Sequence, residues 1–336
     1  MNHKCACLGE WSGAMLAGLF AALPAPAAGL SGNGTLSVVW ENDVFARTDQ
    51  YYSNGLQVSW VPDGGGPPPA WAVNFARLLP WFPRESEIRH GYAFGQNMYT
   101  ASDITLAEPP AGEPPYAGWL YGSIGMSAWT GRQSDQLTLT LGIVGPASLA
   151  EPAQKNFHKI VGADEPRGWD SQLENEPGVV LTYLRRWRGR TAEVPGGFEL
   201  DLTPHVGGAL GNVYTYANAG LILRYGKHLP QDDAPLRIQP GTPGFGNFVS
   251  ADDLGWYVFA GFDSQAVARN IFLDGNTFRD SRSVDKKPLV GDFQIGFSLT
   301  WRTARLSYAQ ILRTREYEGQ PDQEGLGAVS LTVPLP

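Results

Sequence analysis

Cysteine, charge and long apolar runs are all scarce in this chain. Only two of its 336 residues are cysteines, Cys5 and Cys7, and no C-x-x-C pair or zinc-finger spacing occurs. This scarcity argues against a disulfide scaffold or a thiolate metal site. Charged residues make up 17%, and the formal net charge is -8, so the sequence has no basic excess of the kind that marks nucleic-acid binding. We therefore expect no nucleic-acid partner.

The one marked apolar run lies near the N-terminus. It covers residues 14–23, follows His3 and Lys4, and leads into small residues that end at Ala28. This order is typical of an export signal, and the run is shorter than the ~20 residues that a membrane-spanning helix needs. The sequence predicts a signal peptide over 1–28 and a mature domain over 29–336 without cysteine. Since no later stretch is long enough either, a mature domain that spans a membrane must be a closed barrel.

Glycine, aromatic residues and alternating patterns are abundant. The chain has 41 Gly, 11 Trp, 13 Tyr and 15 Phe, and in residues 293–300 apolar and small or polar side chains alternate. Such alternation, repeated between turn signals, is typical of barrel strands. The predicted strands are 35–45, 53–62, 89–99, 118–130, 135–145, 176–188, 197–209, 216–226, 255–273, 290–302, 304–316 and 325–334. The sequence thus predicts an all-β fold, a closed antiparallel transmembrane β-barrel of about 12 strands.

One connection between the predicted strands has helical features. Residues 150–163 break the alternation, and we expect a short helix there that ends at Gly162 and carries Gln154 and His158 on one face. If the N-terminus starts in the periplasm, this helix lies in an extracellular loop. Two connections at the opposite end, 63–88 and 227–254, are longer than the usual periplasmic turns. The long segment 255–273 could also form two strands rather than one.

Polar residues in the outer connections include the side chains that an ester hydrolase would need. A neutral imidazole can take a proton from water near neutral pH, which makes His158 a candidate general base. Asp43 and Asp164 offer the oxygen ligands that calcium selects, and Asn42 could stabilise an oxyanion. Each has an ordinary alternative, since a lone histidine is more often structural and Asn-Asp is a common turn former.

Several motifs, in this order and spacing, resemble the lipid A 3′-O-deacylase (LpxR-type) family over nearly the whole mature chain. They are Glu41-Asn-Asp-Val-Phe-Ala46, Thr48-Asp-Gln-Tyr-Tyr-Ser-Asn-Gly-Leu56, Gly95-Gln-Asn-Met-Tyr-Thr100, Gly142-Ile-Val-Gly-Pro-Ala147, Gln154-Lys-Asn-Phe-His-Lys-Ile-Val-Gly162 and Gly168-Trp-Asp-Ser-Gln-Leu-Glu-Asn-Glu176.

The resemblance implies a twelve-stranded outer-membrane barrel whose active site faces the cell surface, between the barrel wall and the outer-loop helix. It implies calcium-dependent removal of the 3′-linked acyloxyacyl group of lipid A in lipopolysaccharide, with His158 activating water directly. The catalytic positions of the family fall on Asn42, Asp43, Ser53, Gln154 and His158. The expected metal ligands are Asp43 and Asp164, and we expect a monomer.

The sequence departs from the family pattern at two of these positions. Ser53 stands where the family has threonine, which keeps the hydroxyl and loses the methyl group. Asp164 stands where the family has glutamate, and this shorter arm could hand the metal-binding role to Glu165.

Three other readings remain open at this stage. An outer-membrane phospholipase would use Ser53 as a nucleophile with the histidine. A structural barrel would keep the fold without the chemistry. A soluble periplasmic β-sandwich would also give alternating strands.

Overall fold

The computed structural model describes residues 34–43, 51–62, 70–77, 79–83, 86, 88–230, 237–239, 242–243, 254–302 and 304–335. The predicted signal peptide, residues 1–28, lies outside the described residues. The strands are β1 Gly34–Asn42, β2 Tyr51–Pro62, β3 Ile88–Thr100, β4 Ala117–Thr130, β5 Gln133–Val144, β6 Glu176–Trp187, β7 Ala192–Val194, β8 Phe198–Gly211, β9 Tyr214–Lys227, β10 Ile238–Gln239, β11 Thr242–Pro243, β12 Gly255–Asn270, β13 Leu289–Trp301, β14 Ala304–Arg313 and β15 Glu324–Leu335. The helices are α1 Ala70–Ala76, α2 Ala150–Val161 and α3 Ile271–Asp274.

Within the described residues, twelve antiparallel strands close into a barrel. Strand β1 pairs with both β2 and β15, and β6 pairs with both β5 and β8, so the sheet has no open end. The short strand β7 pairs with β8 as an addition to the ring. This confirms the predicted closed barrel and rules out the β-sandwich.

The barrel wall is apolar outside and polar inside. On β13, Phe293, Ile295 and Phe297 are 52%, 64% and 49% exposed, whereas Gln294 and Ser298, on the other face of the strand, are buried. Burial of the polar side chains and exposure of the apolar ones reverses the arrangement of a soluble protein. It is the arrangement expected of a barrel in lipid, whose lumen is filled by polar side chains.

Three predicted strands end earlier than the alternation suggested, and the first is β1, which stops at Asn42. Strand β12 is a single strand that stops at Asn270, because the Asn270 side chain accepts a hydrogen bond from the Phe272 amide and begins helix α3. Strand β14 stops at Arg313, beyond which the Thr314 amide bonds the Gly291 carbonyl. The predicted helix is present as α2, and it ends at Gly162 as expected. None of the described helices is long and apolar enough to cross a membrane.

The two long connections at the end opposite α2 are used in different ways. In the first, Ala76 and Phe82 are buried against Met126 and Leu137 on the outer wall of β4 and β5. In the second, Arg237 and Ile238 are buried and bond residues of the lumen. The described part of the first connection thus covers the outer wall, and the described part of the second reaches the lumen.

Candidate functional site

A cross-strand row on the outer wall leads from the first predicted site residue, Asn42, to helix α2. Asn42 is paired with Asn54, Asn54 with Met98, and Met98 with Gly118. Directly paired residues point to the same face of a sheet. The preceding pair in this register is Trp40 and Leu56, and Leu56 is 47% exposed on the outer face of the wall. Asn42 therefore lies on the outer side of the barrel wall, where its side chain is buried.

Helix α2 packs on the far end of this row. A Cβ atom on Gly118 would lie 2.0 Å from Ser148 Oγ and 2.4 Å from Ala150 Cβ, so only glycine lets the helix start approach the wall this closely. Gln96 Nε2 also donates to the Ser148 carbonyl at 2.6 Å, and Met98 and Ala150 share one buried cluster. With strands about 4.8 Å apart, the four residues of the row span about 14 Å.

Ser53 lies at a bulge in β2, beside this row. The pairing with β3 shifts between Tyr52 and Asn54, which leaves Ser53 without a direct partner. Its hydroxyl bonds the Thr100 hydroxyl at 2.5 Å, and both side chains are buried. A bulge redirects one side chain while the flanking residues keep their faces. The sequence singled out Ser53 but not Thr100, which the structure adds to the site.

Gln154 is fixed by a residue that sequence reasoning passed over. Trp169 Nε1 donates to Gln154 Oε1 at 2.8 Å, and the indole packs edge-on against Tyr116 with 5.2 Å between the ring centres. Trp169 and Tyr116 are almost completely buried. This contact holds the segment after α2 against the helix. Trp169 was visible within the motif that starts at Gly168, but nothing in the pattern indicated its role.

His158 is oriented by the chain that follows its own helix. Gly162 has φ +69°, a left-handed conformation that glycine adopts without strain, and it turns the chain back along α2. The Asp164 carbonyl thereby lies 2.6 Å from His158 Nδ1. When Nδ1 carries the proton and donates it to this carbonyl, Nε2 is the basic nitrogen that can accept a proton from water.

The same helix carries an ion pair one turn before the histidine. Lys155 Nζ lies 2.7 Å from Glu151 Oε1, and this hydrogen bond raises the pKa of Lys155.

The two predicted metal ligands differ in their surroundings. Asp43 is 1% exposed at the end of β1, whereas Asp164 is exposed and contacts His158 through its backbone carbonyl. Among the described residues, no three His, Cys, Asp or Glu side chains are grouped as a metal site. Residues 44–50, which include part of the predicted site motif, lie outside the described chain.

Comparison with known proteins places this arrangement in a family. The family model described as "Outer membrane protein LpxR" matches residues 14–335. The chain belongs to the LpxR family. Among solved structures, LpxR from Salmonella typhimurium matches at a TM-score of 0.71 with 18% identity, over 89% of this chain and 99% of that one. At this identity the likeness establishes the fold shared by the two LpxR-family barrels.

Two autotransporter domains show weaker likeness. The β domain of the Bordetella autotransporter BrkA matches at a TM-score of 0.44 with 10% identity, over 90% of this chain and 99% of that one. The translocator domain of NalP from Neisseria meningitidis matches at 0.36 with 10% identity, over 97% and 94%. A comparison with curated proteins gives no match. Family membership makes this LpxR-family chain an outer-membrane β-barrel protein.

Proposed function

We propose that this protein is an outer-membrane lipid A 3′-O-deacylase that hydrolyses the 3′-acyloxyacyl ester of lipopolysaccharide. Membership of the LpxR family supports the proposal, and its main structural support is the position of the candidate site on the barrel. Asn42 and helix α2 lie on the outer face of the wall, where a membrane lipid can approach sideways, and not in the lumen. A lipid substrate therefore need not leave the bilayer to be bound.

His158 is proposed to act as the general base. The Asp164 carbonyl holds Nδ1, so Nε2 would take the proton from a water molecule as that water attacks the ester carbonyl. The Asn42 amide is suited to donate to the developing oxyanion. Trp169 and Gln154 keep the helix that carries His158 in place.

Calcium is proposed as the cofactor on the chemistry of the donors at this end of the barrel. Asp43, Asn42, Ser53 and Thr100 all present oxygen atoms, which are the ligands that calcium prefers. Asp43 would be the anionic ligand at the end of β1, and Asp164 or Glu165 would complete the set from the segment after α2. A bound calcium ion would polarise the ester carbonyl.

The loops at the α2 end are proposed to face the cell surface. Both described termini of the barrel, Gly34 and Leu335, lie at the opposite end. That end also has tight turns between β4 and β5 and between β13 and β14. Bacterial outer-membrane barrels have short periplasmic turns and longer extracellular loops.

The alternative enzyme is a phospholipase with Ser53 as a nucleophile. A nucleophilic serine requires a base within hydrogen-bond reach. The partner described for the Ser53 hydroxyl is the Thr100 hydroxyl, which is not a base. This contact favours water as the nucleophile.

The test is the mass of lipid A extracted from cells that express the intact chain, His158→Ala or Asp43→Ala. We expect loss of an acyloxyacyl unit with the intact chain only, and a rate lowered by about 100- to 10,000-fold in His158→Ala, the usual contribution of a general base. A calcium chelator added to isolated membranes should stop the reaction. His228→Asn, which changes a histidine at the opposite end, should keep the activity. Unchanged lipid A with a properly inserted intact chain would refute the proposal.

A further inference from the structure

The lumen contains a piece of chain that does not belong to the barrel wall. Arg237 Nη2 lies 3.2 Å from Asp292 Oδ2, and Nη1 donates to Gln294 Oε1 at 3.3 Å. Both partners are inward-facing residues of β13, and Arg237 is 6% exposed. The connection that carries Arg237 starts at the end of β9 and returns at the start of β12, both at the end opposite α2.

The depth to which this segment reaches follows from the strand register. Asp292 is paired with Asp263, which is eight residues along β12 from its start at Gly255. At about 3.3 Å per residue, that is about 26 Å along the strand. Arg237 therefore lies about this far along the lumen, measured from the end at which β12 starts.

Towards the α2 end of the lumen, the segment contacts strand β1, which leads into the Asn42–Asp43 pair. The Ile238 amide donates to Glu41 Oε1 at 2.8 Å, and Glu41 is 1% exposed. The Ile238 side chain packs on Gly55, the residue paired with Glu41, where a Cβ would lie 3.2 Å from Ile238 Cδ1. Strand β1 is thus contacted from the lumen one residue before Asn42.

The charges in the lumen are arranged to hold the segment. The Asp292 carboxylate lies between Arg237 and Arg313, and Arg313 donates to both of its oxygens at 2.8 and 2.9 Å. One arginine therefore comes from the wall and one from the inserted segment. Loss of Arg237 would leave the Asp292–Arg313 pair intact, so its removal tests the segment without orphaning a buried carboxylate.

From these contacts we propose that Arg237 and Ile238 form a lumen plug that positions the Asn42–Asp43 pair through Glu41. The plug does not obstruct a substrate that approaches the outer wall. It fixes the end of β1 from the side that the substrate does not occupy. Arg237 is thus a positioning residue, and its catalytic consequence rests on the proposed function.

The first test measures burial of the plug by cysteine labelling. Ile238→Cys is placed in a parent chain with Cys5→Ser and Cys7→Ser, and the membrane-embedded protein is treated with a soluble maleimide. We expect labelling of Ile238→Cys to be far slower than that of Phe278→Cys, an exposed loop position. Combining Ile238→Cys with Arg237→Met should accelerate the labelling of the cysteine. Equal rates for Ile238→Cys and Phe278→Cys would overturn the plug.

The second test measures positioning without relying on activity. Hydrogen exchange of a peptide that includes Glu41–Asp43 should accelerate in Arg237→Met and stay unchanged in Arg305→Met. Arg305 is a matched control, because it is also a buried lumen arginine, and it donates to the Thr300 hydroxyl near the opposite end. Unchanged exchange in an Arg237→Met barrel that folds normally would overturn the positioning role.

The third test is kinetic. For lipid A deacylation, Arg237→Met should lower kcat by on the order of 10- to 100-fold with little change in KM, since small displacements of catalytic groups have effects of this size. Arg237→Lys should recover part of the loss. Unchanged kcat beside accelerated exchange would overturn the catalytic consequence. An inactive parent would refute the proposed function, while labelling and exchange would still decide the plug.

Discussion

At the scale of single residues, Ser53 separates the two enzyme mechanisms. Its hydroxyl bonds the Thr100 hydroxyl, and its backbone lies at a bulge in β2. If water attacks the ester, Ser53→Ala should lower the deacylation rate by about ten-fold or less, the worth of one ordinary hydrogen bond. If Ser53 were the nucleophile, Ser53→Ala should instead lower the deacylation rate by on the order of a million-fold. Ser53→Thr should keep most of the activity only if water attacks the ester. Initial rates measured on purified lipid A distinguish the two mechanisms.

Trp169 allows a second prediction at this scale. Trp169→Phe keeps the ring packing against Tyr116 but leaves the buried Gln154 oxygen without its donor. An unsatisfied buried polar group costs about 1–3 kcal/mol, so we expect less stable packing of α2 and a lower deacylation rate. Hydrogen exchange of α2 provides the measurement. Trp187→Phe, which removes a more exposed indole bond to Gln133 at the other end, should leave α2 unchanged.

At the scale of elements, the turn after α2 is the feature that aligns the histidine. Gly162→Ala meets no atom within 4 Å, so its cost is the left-handed backbone alone, about 1–2 kcal/mol. The Ala163 amide, which bonds the His158 carbonyl, should exchange faster, and the deacylation rate should fall. Gly319→Ala is the matched control, with φ +82° and equally open surroundings in the β14–β15 loop. Equal effects of the two substitutions on the rate would contradict the alignment role.

The strands and helix α2 could be predicted from the sequence, whereas the end of β12 and the contacts between distant segments could not. Alternation and turn signals predicted all twelve barrel strands and helix α2, because barrel strands and amphipathic helices each have a fixed period. The end of β12 could not be predicted, since the Asn270 cap begins a helix whose residues Ile271, Phe272 and Leu273 are as apolar as those of a strand. The interactions of Thr100, Trp169 and Arg237 depend on contacts between distant segments, which no local pattern records. The residues alone offered Asn42 and His158 as candidates beside their ordinary structural alternatives, whereas Ser53 was singled out only by the family resemblance.

At the scale of the whole molecule, the reversed polarity of the wall predicts how the protein responds to charge. Ile295 lies midway along β13 and is 64% exposed on the outer face. Ile295→Arg should destabilise the folded barrel by about 2–4 kcal/mol, the cost of arginine at the bilayer midplane. Urea unfolding in lipid vesicles measures this cost. Phe278→Arg, at a loop position that is 73% exposed, should cost far less if the wall at Ile295 faces lipid.

A site on the outer wall also changes what sets the reaction rate. When enzyme and substrate share one membrane, encounters take place in two dimensions, and the relevant concentration is the fraction of the surface that the substrate occupies. In mixed micelles, the deacylation rate should then follow the mole fraction of lipid A in each micelle and fall as inert detergent is added, even at constant total lipid A. The row from Asn42 to Gly118 therefore predicts surface-dilution kinetics for this protein.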